Sequence, residues 1–555
     1  MATRTQLLAR LGSTPFDLLV IGGGIVGAGI ARDAVMRGLK VALIDQGDFA
    51  SGTSSKTSKL IHGGLRYLEQ GRLRLVYESL RERQILRTIA PALVHPLTLL
   101  LPVYAGDQRS SWKIRTGLWL YDLLAWGRNV RRHRMLSARR TLALEPALRV
   151  DGLQAAGLYA DCQMDDARLC LANILQAVLF GAVCCNYVRL VRLLKTPRGI
   201  CGGVGEDALT GRTIDLQATA VINATGPWSD RMRRLSDSYA TPRLAPTKGI
   251  HVILPRVAEQ ALFVQGRRDG RLLFVLPWGA CSLVGTTESP AGESLETLHA
   301  TADEVGYLLE EVNRVLPGSH VKERDVVATF AGARPLLAST TSATKASREY
   351  RIDVDRYGLI SVMGGKFTTY RRMATQVVDL VITRNRWSVD HCLTHEVGLL
   401  ETIHPVSLDH WREITRHIDP DVLGRLLSWY GDGTFHILQL VDRDGVLANR
   451  VCAHHEQIGA ELVHAMQEEL TCTVTDLLAR RTRIAWSPCH GLDALATIGE
   501  WLVRYGGWSQ QMVSASMEEY RQFIAASVAF RPRKIPPAPR ARPRSRPATA
   551  QRPSP

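Results

Sequence analysis

The stretch "FDLLVIGGGIVGAGIARDAVMRGLKVALID", residues 16–45, indicates the architecture of the first part of the chain. It opens with the unbroken apolar run FDLLVI, which is typical of a parallel strand covered on both faces. Gly22, Gly24 and Gly27 follow with GxGxxG spacing at the start of a helical pattern. Such glycines make a tight turn, admit a pyrophosphate close to the backbone, and let the helix pack closely on the strand. The stretch therefore predicts a strand, turn and helix that hold a dinucleotide phosphate.

The second half of this stretch completes the pattern. Gly38 ends the predicted helix, and Val41 to Ile44 form a second strand. Asp45 follows, eighteen residues after Gly27, at the place where an acid accepts a hydrogen bond from a ribose hydroxyl. The N–H groups and the dipole of the helix favour phosphate charge. These features in this order predict a dinucleotide-binding α/β unit.

Two later stretches favour FAD over NAD, which share this fingerprint. "TAVINATGPWSD" is a β-branched strand that runs into Thr225 and Gly226. "GLISVMGGKFTTYRRMA" is a strand that ends at Gly364 and Gly365 and opens another helix. Three strand–glycine–helix junctions, far apart in the sequence, suit a long cofactor that passes through the domain. A simple nicotinamide domain does not need the last two.

The composition predicts a large globular protein. The chain has 555 residues, of which 45% are hydrophobic and 22% charged, which suits two to four domains. It contains no apolar run of about 18 residues, so no spanning helix is expected. Arg4, Arg10 and Asp17 interrupt the apolar pieces at the N-terminus, so no secretory signal is expected.

The ten cysteines have no CxxC spacing and are expected to be reduced cytoplasmic thiols. Cys452, His454 and His455, with Cys489 and His490 further on, carry metal-ligand chemistry. Their spacing fits no zinc motif, so no metal site is predicted.

The net charge of +16 is concentrated in part at the C-terminus. Residues 531–555, "RPRKIPPAPRARPRSRPATAQRPSP", carry eight basic residues, eight prolines and no acid. Such a segment is predicted to be a disordered, solvated tail, with RNA or anionic lipid as the alternative contacts.

Seven stretches together resemble the FAD-dependent glycerol-3-phosphate dehydrogenases of aerobic respiration. They occur in the family's order between about residues 15 and 380 and read "IGGGIVGAGIARDA", "SGTSSKTSKLIHGGLRYLE", "YADCQMDDARLCLAN", "INATGPW", "KGIHVILPR", "AGARPLL" and "GGKFTTYR". The resemblance implies an α/β fold: a glutathione-reductase-like FAD-binding Rossmann domain, an antiparallel-sheet substrate domain and a C-terminal helical cap. It places FAD binding at 15–75, 150–240 and 355–385, substrate binding at 76–149 and 241–354, the cap at 395–528 and the tail at 531–555.

The resemblance also implies the site residues. In the family, the segment that includes "HGGLRY" lines the flavin and the substrate phosphate, and its two glycines are expected to lie against the flavin ring, where a Cβ would clash. The residues expected to bind FAD are Gly22, Gly24, Gly27, Asp45, Thr53, Ser54, Ser55, Gly63, Gly64, Thr225, Gly226, Gly364, Gly365, Lys366 and Thr368.

Arg66, Tyr67, Arg334 and Lys366 are expected to bind the substrate, with three cations around one phosphate dianion. His251 is the expected catalytic base, with His62 as the alternative, and Arg334 is counted with the catalytic residues. Ile250 stands where the family has a small polar residue. Asp165, Asp166 and Arg168 are expected to form a structural charge cluster that orders the substrate domain.

The activity implied by the resemblance is oxidation of sn-glycerol 3-phosphate to dihydroxyacetone phosphate, with electrons passed to a membrane quinone. One alternative is a glycerol-3-phosphate oxidase that uses O2. Another is an FAD-dependent protein that modifies RNA. That activity would leave Arg66, Arg334 and Lys366 without a role, so no nucleic acid is expected as a partner. A homodimer is compatible with the family.

Residues 109–134, "RSSWKIRTGLWLYDLLAWGRNVRRHR", predict contact with a membrane surface. Trp112, Trp119 and Trp126 recur every seven residues, so on a helix they share one face. The residues expected to widen that apolar surface are Ile114, Leu118, Leu120, Leu123 and Leu124. Basic residues flank it, as in helices that lie among lipid headgroups. A core-facing helix is the alternative. The pattern favours peripheral attachment to an anionic surface, at the cytoplasmic face of the inner membrane.

Overall fold

The structure is a computed structural model that describes residues 2–292, 294–338, 349–399, 415 and 418–531. It contains two β-sheets with helices packed on them, followed by a helical C-terminal part. The mixed α/β architecture with a C-terminal helical region agrees with the fold expected from the sequence.

The first sheet is built around the strand that opens the glycine motif. Within the described residues it has eight strands. Phe16–Ile21 pairs in parallel with Val41–Ile44 on one side and Thr213–Asn223 on the other. The remaining strands are Val183–Cys185, Val188–Thr196, Gly199–Asp207, Tyr350–Val354 and Ile360–Gly364. Because the central strands are parallel, their carboxyl ends meet at one edge, where a cofactor binds in such folds.

Helices cover this sheet. The helices Ile25–Met36, Asp166–Leu179 and Tyr370–Asn385 pack against one another on one face, and Arg4–Ser13 contacts strand Thr213–Asn223. Gly29 permits the close packing, since a Cβ there would lie 2.8 Å from the Tyr370 ring. Helix Ser229–Ser236 follows the Thr225 junction.

The second sheet has ten strands in the described part of the chain. Its neighbours pair antiparallel, except that Ala261–Gln265 runs parallel to Val94–Tyr104. The other strands are Leu60–Ile61, Arg134–Ser137, Leu153–Met164, Thr247–Pro255, Leu272–Trp278, Cys281–Gly285, Ser289–Pro290 and Ala328–Arg334. The helices Leu73–Ile89, Ser111–Ala125, Ala138–Leu144 and Ala302–Val315 belong to this part of the chain.

Three strands pair in a different sheet from the one expected for their segment. Leu60–Ile61, expected with the FAD-binding segments, pairs with Leu153–Met164 in the second sheet. Leu153–Met164, expected with the FAD-binding segments, pairs with Val94–Tyr104 in the second sheet. Tyr350–Val354, expected with the substrate-binding segments, pairs with Ile360–Gly364 in the first. Each of these strands lies where the chain passes from one sheet to the other. A motif match does not reveal the hydrogen-bond partner of such a strand.

The C-terminal part is helical, with the bounds Pro420–Tyr430, Gly433–Arg443, Gly459–Glu468, Leu495–Gly506 and Gln510–Ser527. A short helix, Val474–Asp476, continues as the π turn Leu477–Arg481. Two apolar cores hold these helices together. Of the expected tail, Arg531 donates to the Val326 carbonyl at 2.6 Å, and residues 532–555 lie outside the described residues.

The helix Ser111–Ala125, called here the tryptophan helix, has one buried and one exposed face. Ile114, Leu118 and Tyr121 are buried, so the first two belong to the core and do not widen the outer surface as expected. Trp112 and Trp119 are 65% and 62% exposed. Trp126, the C-cap residue, is 75% exposed, and Leu123 is 47% exposed. Across the described residues, every helix is too short or too polar to span a bilayer.

Candidate active site

A cavity of about 1170 Å³ lies between the two sheets. Its walls include Ile21 and Val362 from the first sheet and Phe263 and Phe274 from the second. Ligand pockets usually measure about 300–1,000 Å³. The cavity is therefore large enough for a long cofactor together with a small substrate.

The glycine turn forms one end of this cavity. Gly22 has φ +107°, and a Cβ there would lie 2.7 Å from the Ala224 carbonyl oxygen, so only glycine fits the turn. Gly24 is the N-cap of helix Ile25–Met36 and lines the cavity. At Gly27 a Cβ would meet the Gly22 carbonyl oxygen at 1.9 Å. Gly27 thus serves helix–strand packing, as its motif position predicts.

Asp45 lines the cavity beside this turn. Its carboxylate accepts from the N–H of Gly23 at 2.7 Å and from the N–H of Gly47 at 2.9 Å. Burial raises the pKa of Asp45 to about 6, against the lowering effect of these two bonds. The carboxylate therefore orders the glycine turn and faces the space where a ribose would lie.

The structure brings most of the residues predicted for the site to this one cavity. Those that line it are Gly22, Gly24, Asp45, Thr53, Ser54, His62, Gly64, Arg66, Tyr67, Thr225, Gly226, His251, Arg334, Gly364, Gly365, Lys366 and Thr368. Gly27, Ser55 and Gly63 are not among its lining residues.

The two glycines of "HGGLRY" are both closely surrounded by side chains of the protein. A Cβ at Gly63 would lie 2.4 Å from the Tyr121 hydroxyl and 2.6 Å from Leu80, and the Gly63 N–H donates to that hydroxyl at 2.8 Å. Gly64, with φ +84°, would place a Cβ 2.3 Å from the Tyr67 ring. Neighbouring side chains of the protein therefore already confine both glycines, and their contact with the flavin stays a prediction.

His251 is buried in strand Thr247–Pro255 and lines the cavity. Its Nε2 is 2.9 Å from Ser58 Oγ, and its ring stacks on Phe330 at a centroid distance of 5.0 Å. Nδ1 is buried and has no hydrogen-bond partner among the described residues. Ile250 points to the opposite face of the strand and is fully buried in an apolar core, so its side chain does not set the polarity around His251.

The pKa of His251 lies well below its usual value. Burial is the main cause, and the positive charges of Arg334 and Lys59 add to it. The imidazole is therefore neutral at physiological pH and can accept a proton.

Arg334 is held in place at the end of strand Ala328–Arg334. Its Nη2 donates to Thr286 Oγ1 at 2.8 Å and to the Thr287 carbonyl at 3.1 Å. The guanidinium lies over Gly249, where a Cβ would come within 2.2 Å of Nη2. A bulkier residue at 249 would displace the guanidinium from this position.

Lys366 is a second cation in the cavity, and it lies beside Tyr67. Lys366 Nζ donates to Ser79 Oγ at 3.0 Å and lies 4.8 Å from the centre of the Tyr67 ring. Arg66 is half-buried and lines both this cavity and a small adjoining one. His62 lines the cavity. Its backbone N–H donates to Thr368 Oγ1 at 3.3 Å, and that hydroxyl donates to the His62 carbonyl at 3.4 Å.

Three residues of this site were not singled out in the sequence. Ser58 contacts His251, Thr286 contacts Arg334, and Lys56 lines the cavity. Burial and, to a smaller extent, the positive charge of Arg480 lower the pKa of Lys56 to about 8. Ser58 and Lys56 lie in the quoted stretch "SSKTSKLIHGG", whereas nothing in the sequence around Thr286 links it to Arg334.

Asp165, Asp166 and Arg168 form a buried charge cluster, and its role in ordering the substrate domain stays a prediction. Asp166 accepts a hydrogen bond from Lys59 Nζ at 2.5 Å. Lys59 lies between Ser58 and Leu60, in a segment many of whose residues line the cavity. Asp165 caps helix Asp166–Leu179 and pairs with Arg483 at 2.5 Å, and Arg168 pairs with Glu469. These bonds fasten the helix to the cavity segment and to the C-terminal helices.

These residues fit the cofactor predicted from the sequence. Gly24 leaves no side chain between the start of its helix and the cavity. Asp45 offers carboxylate oxygens for ribose hydroxyls, and Thr225, Gly364 and Gly365 extend the lining to the two later junctions. A dinucleotide that spans all three junctions would pass their glycines, which leave room for close approach to the backbone.

Comparison with known proteins gives consistent matches. The family model described as "FAD dependent oxidoreductase" matches residues 17–369, and the one described as "C-terminal domain of alpha-glycerophosphate oxidase" matches residues 362–513. A glycerol-3-phosphate dehydrogenase of Synechocystis sp. is 37% identical over 92% of this chain and 97% of its own. The mitochondrial glycerol-3-phosphate dehydrogenase of Mesocricetus auratus is 36% identical over 94% and 74%. The solved glycerol-3-phosphate dehydrogenase of Bacillus halodurans, complexed with FAD, has a TM-score of 0.77, 27% identity, and coverage of 95% and 98%.

Proposed function

Because the chain belongs to the FAD-dependent oxidoreductases, and within them to the glycerol-3-phosphate dehydrogenases, we propose that it oxidises sn-glycerol 3-phosphate to dihydroxyacetone phosphate and passes the electrons to a membrane quinone. Its cofactor is FAD. The observation that carries the proposal is one cavity that joins the glycine turn, a neutral buried histidine and three cationic side chains.

The cations supply the recognition of the phosphate. Arg66, Arg334 and Lys366 line the same cavity. Two guanidiniums make forked, charge-assisted hydrogen bonds to phosphate oxygens, and an ammonium adds a point charge. Held by its phosphate, the substrate has its C2 hydroxyl fixed relative to the remaining groups, which lowers the entropic part of the barrier.

His251 serves as the base in this proposal. It takes the proton of the C2 hydroxyl, because its imidazole is neutral and Ser58 holds its Nε2. Bound FAD supplies the acceptor for the hydride that leaves C2. Arg334, which helps keep His251 neutral before the reaction, also faces the charge that develops on the C2 oxygen.

The tryptophan helix supports attachment to a membrane. Trp112 and Trp119 are exposed on this helix and Trp126 is exposed at its C-cap. Exposed basic residues accompany them: Lys113, Arg115, Arg131, Arg132 and Arg134. Indole rings favour the headgroup region, and cations favour anionic lipid. Such an arrangement suits a protein that delivers electrons to a quinone at the cytoplasmic face of the inner membrane.

Anaerobic reduction of the purified holoprotein tests the proposal. Addition of sn-glycerol 3-phosphate should bleach the flavin absorbance, whereas sn-glycerol 1-phosphate, of opposite configuration, should bleach it much more slowly. Unchanged absorbance with both compounds would refute the proposed substrate.

The electron acceptor needs a separate measurement, because the C-terminal match is to a domain of alpha-glycerophosphate oxidase. The reduced protein is mixed with either a short-chain quinone or air-saturated buffer. We expect fast reoxidation by the quinone and little peroxide in air. Rapid, stoichiometric peroxide formation would identify an oxidase instead.

A further inference from the structure

Cys452, His455 and Cys489 converge in the C-terminal part, away from the residues that line the active-site cavity. Their three ligand atoms all lie within 4.8 Å of one another. His455 Nε2 is 3.1 Å from Cys489 Sγ, and the two thiols are in hydrogen-bond contact. In a tetrahedral zinc site with bonds of about 2.0–2.3 Å, neighbouring ligand atoms are about 3.3–3.8 Å apart. The three side chains therefore need only small movements to share one ion.

The backbone around both cysteines suits metal-bound thiolates. The N–H of His454 donates to Cys452 Sγ, and the N–H of Gly491 donates to Cys489 Sγ at 3.4 Å. Each sulfur thus receives a bond from the residue two positions later in the chain. Donors of this kind orient a ligand and stabilise negative charge on sulfur. A turn in which the His455 N–H donates to the Cys452 carbonyl at 3.3 Å holds the first two ligands together.

We propose that Cys452, His455 and Cys489 form a Zn²⁺ site that holds the segment 452–455 to the segment 484–491. Two thiolates and one imidazole are the ligands that zinc prefers over magnesium or calcium. Water takes the fourth position, beside Ser487 Oγ, which is 3.1 Å from His455 Nε2. Binding of Zn²⁺ releases the two thiol protons.

The segment that the ion would hold also backs the active site. Trp486 packs edge-on against Phe330 at a centroid distance of 5.7 Å, and Phe330 stacks on His251. The Trp486 indole N–H donates to the Ala479 carbonyl at 3.0 Å. An ion at this site would hold the segment behind Phe330, and its effect on His251 would pass through the packing of these two rings.

Metal titration of the untagged holoprotein tests this site. The protein is reduced, freed of metal with a chelator and incubated with ZnCl₂ or CoCl₂, and excess ion is then removed. We expect about one Zn²⁺ per chain. Co²⁺ should give the visible bands of a tetrahedral thiolate complex at wavelengths beyond the flavin absorbance.

Cys489→Ser and His455→Ala should each abolish these Co²⁺ bands and stoichiometric zinc retention. Cys201→Ser, which removes a half-buried cysteine of the first sheet, should leave both unchanged. Retained flavin shows that a variant is folded. If a variant does not fold, the number of Zn²⁺ ions retained per wild-type chain tests the proposal. No zinc retained by the reduced wild type would overturn the proposal. So would a disulfide between Cys452 and Cys489 in the protein as isolated.

Discussion

Arg66 tests the phosphate site at the scale of single residues. Arg66→Ala should leave FAD bound and remove a charge-assisted contact worth roughly 1.5–3 kcal/mol. At about 1.4 kcal/mol per factor of ten, kcat/KM for glycerol 3-phosphate should fall roughly ten- to hundredfold. Arg66→Lys should recover part of the loss, because lysine lacks the forked geometry.

Glycerol and a second arginine provide the controls for this substitution. The loss should be smaller with glycerol, which has no phosphate. Arg72→Ala should have little effect, since Arg72 pairs with Glu349 at the surface. Equal losses with glycerol and glycerol 3-phosphate would mean that Arg66 positions the cofactor or the fold.

His251 gives a pH-dependent prediction at the same scale. Its pKa is lowered by burial and by Arg334 and Lys59, so the base stays neutral as the pH falls through 6.5. We expect kcat at saturating substrate to remain level across that range. His251→Asn should lower kcat by about 10²–10⁴ with flavin retained, and His62→Asn should lower it much less. A wild-type kcat that halves near pH 6.5 would contradict the lowered pKa.

At the scale of elements, Gly63 tests the contact between residues 53–67, many of which line the cavity, and the tryptophan helix. Gly63→Ala places a methyl group 2.4 Å from the Tyr121 hydroxyl, and such overpacking costs about 1–3 kcal/mol of unfolding free energy. Gly117→Ala is the matched control. Gly117 lies in the tryptophan helix, which also carries Tyr121, and has open space around it. Thermal denaturation of both holoproteins measures the difference. Equal stability would show that the segment can move away from Tyr121.

The outer side of the tryptophan helix carries the second prediction at this scale. Changing Trp112, Trp119 and Trp126 to Ser should shift the protein from vesicles containing anionic lipid to the soluble fraction in a flotation assay. A control with Leu179→Ser and Tyr239→Ser, which are exposed elsewhere, should still bind. Reversing the flanking basic charges should weaken binding by about 1 kcal/mol per residue and make it sensitive to salt.

A truncation separates the helix from the basic tail in the same assay. The chain is cut after Arg531, because that residue still contacts Val326. If the truncated protein no longer binds the vesicles while the triple Ser variant still does, residues 532–555 are responsible for attachment.

At the scale of the whole molecule, Asp48 joins the first sheet to the C-terminal helices. Its buried carboxylate accepts from Arg481 at 2.5 and 3.0 Å and from Arg480 at 2.5 Å. Burial alone would raise the pKa of Asp48, but the two arginines lower it to about 2. Asp48→Asn leaves two buried guanidiniums without this counter-charge, which should cost about 3–5 kcal/mol.

The sign of the pH dependence follows from this lowered pKa. A carboxylate with a folded-state pKa near 2 stabilises the protein above about pH 4, and that contribution is lost as the pH falls toward 2. Denaturant unfolding at about pH 5 and about pH 3 should show a smaller difference for Asp48→Asn than for the wild type, because the contribution is lost below about pH 4. Asp421→Asn, at an exposed pair with Arg450, should keep the wild-type difference. An unchanged difference in Asp48→Asn would mean that other acids govern acid stability.

Local patterns in the sequence predicted the features that depend on short stretches of chain. The GxGxxG turn, its helix and Asp45 were predictable because turn geometry and helix capping involve neighbouring residues. The exposed face shared by Trp112 and Trp119 was predictable from helical periodicity, whereas Trp126 lies at the C-cap, beyond the last helical residue. The motif resemblance added the residues that line the cavity, although their roles in catalysis remain predictions.

Only the tertiary structure decided the contacts between distant segments. Gly63 is confined by Tyr121, 58 residues away, and Asp48 meets Arg481 across 433 residues. Cys452 and Cys489 have no recognisable zinc spacing, yet the packing of the C-terminal helices brings them together. Periodicity tells which face of a strand or helix is buried, but the partner of that face depends on strand pairing and helix packing. Those are set by the whole chain, so local spacing in the sequence carries no signal for them.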